Sequence, residues 1–531
     1  MSTTTSARLS RQKGAVMSSR VSADTDEAFV GSAEKFQAIV SSLGSQASVS
    51  LTHEQLEDKL STEGRELLRT LFQDHLMLRS KQEQRQTDVV DADGCLRTRV
   101  EHDRERSLTT VFGEVTVARK TYRALDCTNL YPADAALNLP AETYSHGLRK
   151  LTALEIPRGS FDAARDSILR TTGVRIGNRQ LEQLTLRASS DVEEFYASRT
   201  LPKGSVKDVL VLSADGKGIV MRPEGLREQT AQAAASSTNK MTSRLSPGEK
   251  RNRKRMAELG AVYDATPVKR SPLDIITLAQ SIPDTDNDNE AVPAQGPIAK
   301  NKWLTASIDK GIDEVTSLIF DEAIKRDPRH QRTWIALVDG NAQQIKSIKA
   351  YARKHKVKVT IVIDFIHVLE YLWGAAWSFF DHGDKAKEAE SWVAKQALDV
   401  LEGRAGIAAG AINRKATTNN LTGNKRKGAD ECANYLLSKK QYLDYDQALR
   451  SGWPIATGII EGACRYIVKD RMDITGARWG LDGAEAILKL RTMKSNGDFD
   501  DYWAFHTHRE FERRHCSLYL GEQPPEQLFA A

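Results

Sequence analysis

The chain has 531 residues, of which 40% are hydrophobic and 28% are charged, so we expect two to four domains with buried cores. It lacks an apolar run of about 18 residues and an apolar signal segment near Met1, which excludes a membrane span and predicts a cytoplasmic protein. The net charge of +5 permits a nucleic-acid partner without requiring one.

The five cysteines are odd in number and far apart, and none forms a C-x-x-C pair. This spacing argues against a disulfide framework or a zinc site made of cysteines, so we expect reduced thiols with structural roles. The cysteines are Cys95, Cys127, Cys432, Cys464 and Cys516.

The N-terminal part begins with a polar stretch, residues 1–50, which is rich in Ser and Thr and predicts a disordered tail. Leucines then recur at helical spacing from Thr52 to Gln82, which predicts an amphipathic helix. Residues 96–125 have the pattern of a β-hairpin that turns at Gly113.

A second helical block covers residues 144–199. In it, Ser160 is placed to cap a short helix, Gly173 to end that helix, and a further helix begins near Arg179. This pattern is typical of a DNA-binding helix-turn-helix, although a plain helical bundle produces it too. We therefore interpret 51–200 as a mainly helical DNA-binding region that contains the hairpin.

From residue 201 short apolar strands alternate with helices, which predicts an α/β core in 201–382. Three strands precede a helix at Ile312–Ile324, and two further strands are each followed by a helix; this is the element order of the ribonuclease H-like fold, with its mixed sheet. We expect a loop or disorder at 280–300, an all-α insertion at 383–452, and core and C-terminal helices at 453–531. The predicted strands are Val209–Ser213, Ile219–Met221, Met256–Tyr263, Arg332–Val338 and Val357–Ile363.

Three acidic residues fall where this fold needs a metal site. Asp215 and Asp339 each follow an apolar strand, and Glu461 lies on a later helix, on the flank of an apolar stripe. Together such carboxylates are able to hold two Mg²⁺ ions that activate a water or a 3′-hydroxyl and stabilise the leaving oxygen. Each Asp-Gly pair alone is a common turn, and Glu461 alone is a common surface residue, so only the set of three predicts a site. The stripe consists of Ile460, Cys464 and Ile467.

A D-x-x-H motif, Asp364 to His367, ends the fifth predicted strand. His367 is of a type that orients a carboxylate, contacts a phosphate or acts as an acid. The structural alternative is a packed histidine at the start of a helix.

At these positions the chain resembles bacterial insertion-sequence transposases of the Kra type and, more distantly, the Mutator-like DDE transposases. Some relatives carry a cysteine pair after the hairpin, whereas this chain has only Cys127 there, so a zinc ribbon is not expected. The segments that carry the resemblance are Tyr131–Leu139, Ser213–Gly218, Leu337–Asn341, Val362–Trp373, Gly458–Met472 and Gly476–Trp479.

The resemblance implies that Asp215, Asp339 and Glu461 hold two Mg²⁺ (or Mn²⁺) ions, with Asp364 and His367 as an accessory motif. Both Asp339 and Asp364 remain candidates for the second metal ligand. Asp339 is favoured because the fourth strand pairs beside the first in this fold.

Basic residues provide candidate contacts to DNA phosphates, although a solvated charged surface is the alternative for each cluster. The main cluster precedes the third predicted strand, a second pair follows Glu461, and further basic residues lie in the helical insertion. They are Lys250, Arg251, Arg253, Lys254 and Arg255; Arg465 and Lys469; and Arg414, Lys415, Lys425, Arg426 and Lys427.

The sequence therefore predicts a transposase that cuts DNA at element ends and joins it to target DNA. Its partners would be the terminal inverted repeats, target DNA and further copies of the chain, at the bacterial nucleoid and without a membrane. A metal-dependent nuclease or resolvase of the same fold, and a domesticated DNA-binding protein, are the alternatives.

Overall fold

The computed structural model describes residues 27–201, 204–236, 253–280, 296–380, 383, 386–474 and 476–526. Two compact units are present: the first contains residues up to Phe195 and from Asp500 onward, and the second is Tyr196–Phe499. The sequence placed a boundary at residue 200, and the units divide between Phe195 and Tyr196; the residues from Asp500 onward, which the sequence grouped with the Glu461 segment in 453–531, lie in the first unit. No helix in the described part has both the length and the apolar character that crossing a bilayer requires.

The first unit starts with helices in a stretch that was expected to be disordered. Val30–Leu43 and Gln46–Val49 are helical. The Ser32 backbone N–H donates at 3.0 Å to Oδ2 of Asp74, which lies on the long helix His53–Gln82. The prediction of a disordered tail is therefore wrong for these residues, because a tertiary contact stabilises helices that their composition does not indicate. Residues 1–26 of that predicted tail lie outside the described residues.

A long helix and a two-stranded sheet form the next layer. The helix, His53–Gln82, begins at a capping box in which Thr52 and Gln55 exchange hydrogen bonds. Strands β1 (Arg99–Thr110) and β2 (Gly113–Arg123) pair antiparallel, and the long helix packs on β2. The core between them contains Leu76, Leu108, Val115, Val117 and Leu139.

Short helices complete the first unit. The predicted cap and stop are confirmed: Ser160 Oγ accepts from the Ala163 N–H at 3.1 Å, and Gly173 ends the helix in the left-handed region with φ +74°. The helices are Pro132–Ala136, His146–Glu155, Phe161–Thr172, Asn178–Ala188 and Val192–Ser198.

A buried polar network holds the helix Phe499–Arg514 in the first unit. His506 Nδ1 lies 2.6 Å from Asp191 Oδ2, and Arg513 pairs with the same carboxylate. His515 bonds the carbonyl of Leu139 at 3.0 Å. These contacts of residues distant in sequence explain why the segment after Asp500 packs in this unit.

Cys95 and Cys127 form a disulfide in the first unit, so the expectation of five reduced thiols is wrong for this pair. Asp91 lies beside them, but Arg97 binds one of its oxygens at 2.6 Å and the Cys95 N–H binds the other at 2.8 Å. The carboxylate of Asp91 is therefore already occupied.

The second unit contains a five-stranded mixed sheet, as an α/β core requires. Its strands are β3 (Val209–Val220), β4 (Lys254–Ala265), β5 (Ala299–Ser307), β6 (Trp334–Val338) and β7 (Val359–Ile363), in the order β5-β4-β3-β6-β7. β3 and β5 run antiparallel to β4, and β6 runs parallel to both β3 and β7. The prediction that the fourth strand pairs beside the first is confirmed by this order.

The first three strands differ from their predicted bounds. The predicted strands Val209–Ser213 and Ile219–Met221 are joined in the continuous β3, which ends at Val220, because Gly216 and Gly218 do not adopt positive φ and make no turn. The predicted third strand, Met256–Tyr263, lies within β4, and β5 is a further strand that the sequence did not predict. β5 begins in the stretch 280–300 that was expected to be a loop or disordered; residues 281–295 of that stretch lie outside the described residues.

Helices cover both faces of the sheet because successive strand residues point to opposite sides. Val211 and Leu337 belong to a core on one face, which includes the helices after β7, and Leu212 and Ala336 belong to a core on the other face. The described part of 383–452 consists of helices joined by short turns, as predicted. The helices of this unit are Glu228–Ser236, Pro272–Gln280, Ile312–Arg326, Ala342–Lys354, Phe365–Ala376, Ala386–Leu401, Ala405–Thr418, Asn424–Lys439, Tyr445–Ser451, Gly458–Ala463, Asp470–Met472 and Leu481–Asn496, with a π-helix at Cys464–Lys469.

Candidate metal centre

Asp215 lies within β3, two residues beyond the last residue that pairs with β6, which is Ser213. Its Oδ1 accepts from the Gly216 N–H at 2.7 Å, and its Oδ2 accepts from Cys464 Sγ at 3.1 Å. Burial, and then the charge of Asp339, raise the pKa of Asp215 above its usual value. At Asp215, β3 no longer pairs with β6, so the β6 side of the strand is unpaired beside this carboxylate.

Asp339 follows β6 directly and is partly exposed. Its Oδ1 accepts from the Asn341 N–H at 2.8 Å, and its backbone carbonyl accepts from the Tyr435 hydroxyl at 3.0 Å. Since β3 and β6 are parallel neighbours and Ser213 pairs with Leu337, Asp215 lies level with Asp339, although β3 continues past Asp215 to Val220 and does not end there as the sequence predicted.

Asp364 follows β7 and is fully buried. As the N-cap of the helix Phe365–Ala376, it accepts from the Ile366 N–H at 2.8 Å. Its other oxygen accepts from the Thr457 N–H at 3.1 Å and from the Thr457 hydroxyl. Asp364 thus joins the end of β7 to the segment that carries Glu461.

Glu461 lies on the helix Gly458–Ala463, with Oε1 3.0 Å from the hydroxyl of Thr457. That hydroxyl lies between two carboxyl groups and has one proton, so it donates to only one of them at a time. Burial, and then Asp364, raise the pKa of Glu461 above its usual value. The predicted stripe is also confirmed, because Glu461 is exposed beside buried Ile460, Cys464 and Ile467.

His367 lies one turn into its helix, with Nδ1 3.0 Å from Glu370 Oε2. Burial lowers the pKa of His367, but Glu370 and then Asp364 and Asp339 outweigh this and raise it above the usual value. One ligand atom each from Asp364, His367 and Glu461 lies within 4.8 Å of the others. Of the five residues that the sequence singled out, these three meet within that distance, and Asp215 and Asp339 lie near enough for their charges to act on each other and on His367.

The donor atoms of this place fit a divalent cation. Carboxylate oxygens are the ligands that Mg²⁺ and Mn²⁺ prefer. Asp364 and Glu461 share one hydroxyl, and Asp215 faces the charge of Asp339, so these pairs of like charges need a cation or a proton between them. Asp364 differs from the others because three hydrogen bonds already occupy its oxygens.

Glu258 is a further acidic residue that the sequence did not indicate. It pairs with Gly216 across β3 and β4, and a Cβ atom at position 216 would lie 3.1 Å from Glu258 Oε2. Burial, and then Asp215, raise the pKa of Glu258. Only the register of β4 on β3 reveals this residue, since the glycine opposite leaves room for its carboxyl group.

The predicted DNA contacts separate into several groups. Lys250 and Arg251 lie outside the described residues, and Lys254, Arg465 and Lys469 are exposed. Arg255 is bound within the fold, where its guanidinium donates to the Ile308 carbonyl at 2.8 Å and pairs with Asp309. Its guanidinium is therefore already engaged within the fold. Arg253 lines a cleft described below.

Comparison of the chain with models of protein families found no match, and no curated protein matches it either. Its function is therefore inferred from the geometry of its own residues.

Proposed function

We propose that this chain is a DDE-type transposase, which cuts DNA at element ends and joins the freed 3′ end to target DNA. The observation that carries the proposal is the convergence of acidic residues from Asp215 to Glu461, which are 246 positions apart. Their elements meet where the Cys464 thiol binds Asp215 and where Thr457 lies between Asp364 and Glu461.

The sheet supports a ribonuclease H-like core for this enzyme. Three antiparallel strands precede two parallel ones in the chain, and the first strand, β3, lies at the centre of the order β5-β4-β3-β6-β7. Two of the acidic residues, Asp339 and Asp364, follow β6 and β7 directly, and Asp215 lies on β3 between those strands and β4.

Asp215, Asp339 and Glu461 are the residues that would hold two Mg²⁺ (or Mn²⁺) ions. When bound, these ions supply Lewis-acid activation of the attacking oxygen and charge stabilisation of the leaving oxygen. Asp364 has a positioning role in this proposal, because two of its three hydrogen bonds hold Thr457 and, through it, the helix of Glu461, while the third caps its own helix.

His367 contributes a proton and a positive charge beside the phosphate. Its Nδ1 is held by Glu370, which leaves Nε2 as the nitrogen that donates to a phosphate oxygen or to the leaving oxygen. The raised pKa of His367 favours the protonated ring that this role needs.

The test is cleavage and strand transfer with plasmids that carry the inverted repeats flanking the gene. Asp215→Asn, Asp339→Asn and Glu461→Gln are expected to abolish cleavage in Mg²⁺ while end binding and the melting temperature are retained. Normal cutting by Asp339→Asn, together with loss by a folded Asp364→Asn protein, would instead assign the second ligand to Asp364.

The same assay separates the transposase from a nuclease or resolvase, which would cut without joining DNA to the target. A protein that binds the ends but neither cuts nor joins would be a DNA-binding protein derived from a transposase. Deletion of residues 51–200 is expected to remove end-specific binding, because we assign recognition to the helical block 144–199 and the hairpin. Two ends must be joined in one event, so we expect the active form to contain at least two copies of the chain.

A further inference from the structure

Three arginines from separate segments of the second unit line one cleft of about 420 Å³. Arg222 follows the end of β3, Arg253 precedes β4, and Arg478 lies in the loop before the helix Leu481–Asn496. The cleft is completed by Pro223, Glu224 and Gly476.

Backbone hydrogen bonds hold these segments together. The Arg222 N–H donates to the Trp479 carbonyl at 2.7 Å, and the Met221 N–H donates to the Arg253 carbonyl at 2.9 Å. Trp479 is itself buried, and its indole N–H donates to the Met472 carbonyl at 3.0 Å. The three arginines are therefore neighbours because of the fold, and not because their flexible side chains happen to meet.

The charges of the cleft are not compensated within the described part of the chain. Arg222, Arg253 and Arg478 make no ion pair there, in contrast to Arg255 nearby, which pairs with Asp309. The lining contains one carboxylate, Glu224, so the three arginines give it a net charge of +2. A guanidinium presents paired donors that match the oxygens of a phosphate.

We propose that this cleft binds the phosphodiester backbone of the DNA that flanks the cleaved bond, an inference that rests on the proposed function. Arg222 lies seven residues along β3 from Asp215, which corresponds to about 23 Å at about 3.3 Å per residue of extended chain. B-form DNA advances about 3.4 Å per nucleotide of one strand. The cleft thus contacts phosphates about seven nucleotides from the bond that is cut.

The exposure of the arginines favours a polymer over a small free anion. Arg222 and Arg478 are exposed and Arg253 is only partly buried, so a single phosphate would remain largely hydrated among them. A DNA strand gains instead from the release of condensed counterions, which makes its binding depend strongly on salt.

The experiment measures binding of the full chain to an end-containing duplex over a range of salt concentrations, with EDTA present so that no cleavage occurs. Arg222→Gln/Arg478→Gln is expected to reduce the slope of log K against log salt by about 1.8, since each lost phosphate contact removes about 0.9. The defect in affinity should therefore shrink about tenfold between 50 and 200 mM salt.

The matched control is Arg404→Gln/Arg450→Gln, which removes the same charge from exposed arginines that pair with Asp399 and Asp446. This control is expected to keep the wild-type slope. A duplex with neutral methylphosphonates about seven nucleotides from the cut should weaken binding by the wild type but not by the cleft variant.

The outcomes separate the two proposals. A steep wild-type slope that the cleft variant retains would overturn the cleft while leaving the transposase standing. Absence of any salt-dependent DNA binding by the wild type would overturn both. Competition by inorganic pyrophosphate at micromolar concentration, without an effect of the methylphosphonates, would make the cleft a small-anion site and also overturn the inference.

Discussion

The acidic site predicts a thermal stabilisation by Mg²⁺ that depends on individual carboxylates. In the absence of a cation, folding brings Asp215 towards Asp339, and Glu461 towards Asp364. A cation that binds only the folded state stabilises it by about 2.7 kcal/mol when its free concentration is 100 times Kd. We therefore expect the second unit to melt at a higher temperature in Mg²⁺.

The size of the unit converts this free energy into a temperature. The second unit, Tyr196–Phe499, has about 300 residues, and 1 kcal/mol shifts the melting temperature of a unit near this size by about 2 °C. Saturating Mg²⁺ should therefore raise the melting temperature by about 5 °C.

The assay is thermal unfolding of the full chain, followed by circular dichroism during a Mg²⁺ titration. Asp215→Asn and Glu461→Gln are expected to melt at or above the wild-type temperature without metal, because each removes one of two neighbouring like charges. Both should lose most of the rise in Mg²⁺. Glu431→Gln is the matched control, because Glu431 is an exposed carboxylate on another helix that pairs with Lys427. An equal rise in all four proteins, or none in the wild type, would refute the metal site.

Three further predictions concern the rest of the fold. The Cys95–Cys127 disulfide links residues 32 positions apart, so Cys95→Ser/Cys127→Ser should lower the free energy of unfolding of the first unit by about 3–4 kcal/mol. Thiol titration of the denatured wild type, without reductant, should find three free cysteines. Burial, and then the guanidinium of Arg149, lower the pKa of His146 from 6.5 to about 4. The stability that the neutral ring allows is therefore present above pH 6.5 and is lost as the pH falls towards 4. His146→Gln should remove this pH dependence, which amounts to at most about 3 kcal/mol in the free energy of unfolding measured with a denaturant across that range. A Cβ atom at Gly428 would overlap the carbonyl oxygen of Gly374, where the helices Asn424–Lys439 and Phe365–Ala376 meet. Gly428→Ala should therefore lower the free energy of unfolding, measured with a denaturant, by about 1–3 kcal/mol. A variant as stable as the wild type would show that these two helices can move apart.

Local patterns were sufficient for much of the second unit. The spacing of Ile460, Cys464 and Ile467 predicted which face of the helical segment with Glu461 is buried, because such a pattern depends only on residues close in sequence. The apolar runs before Asp339 and Asp364 likewise predicted strands. β6 is apolar throughout and lies inside the sheet, and β7, at the sheet edge, is apolar except for Thr360.

Features that depend on distant partners were not predicted. Strand β5 was not predicted. One reason is that its first residues include Lys300, Asn301 and Lys302, which are polar and exposed at the edge of the sheet. The role of Gly216 was misread as a turn because its cross-strand neighbour, Glu258, is unknown until the register is set. The cysteine pairing was missed for the same reason, since spacing along the chain does not report distance in space.

The first unit is assembled from two stretches of chain separated by about 300 residues of the second unit. A ribosome makes the whole segment Tyr196–Phe499 before it makes His506, whose ring meets the buried carboxylate of Asp191. The unit that bears the acidic site is thus able to fold during synthesis, whereas the other waits for its last helix. Nascent chains would in consequence hold a folded acidic site before they complete the unit to which we assign the recognition of element ends.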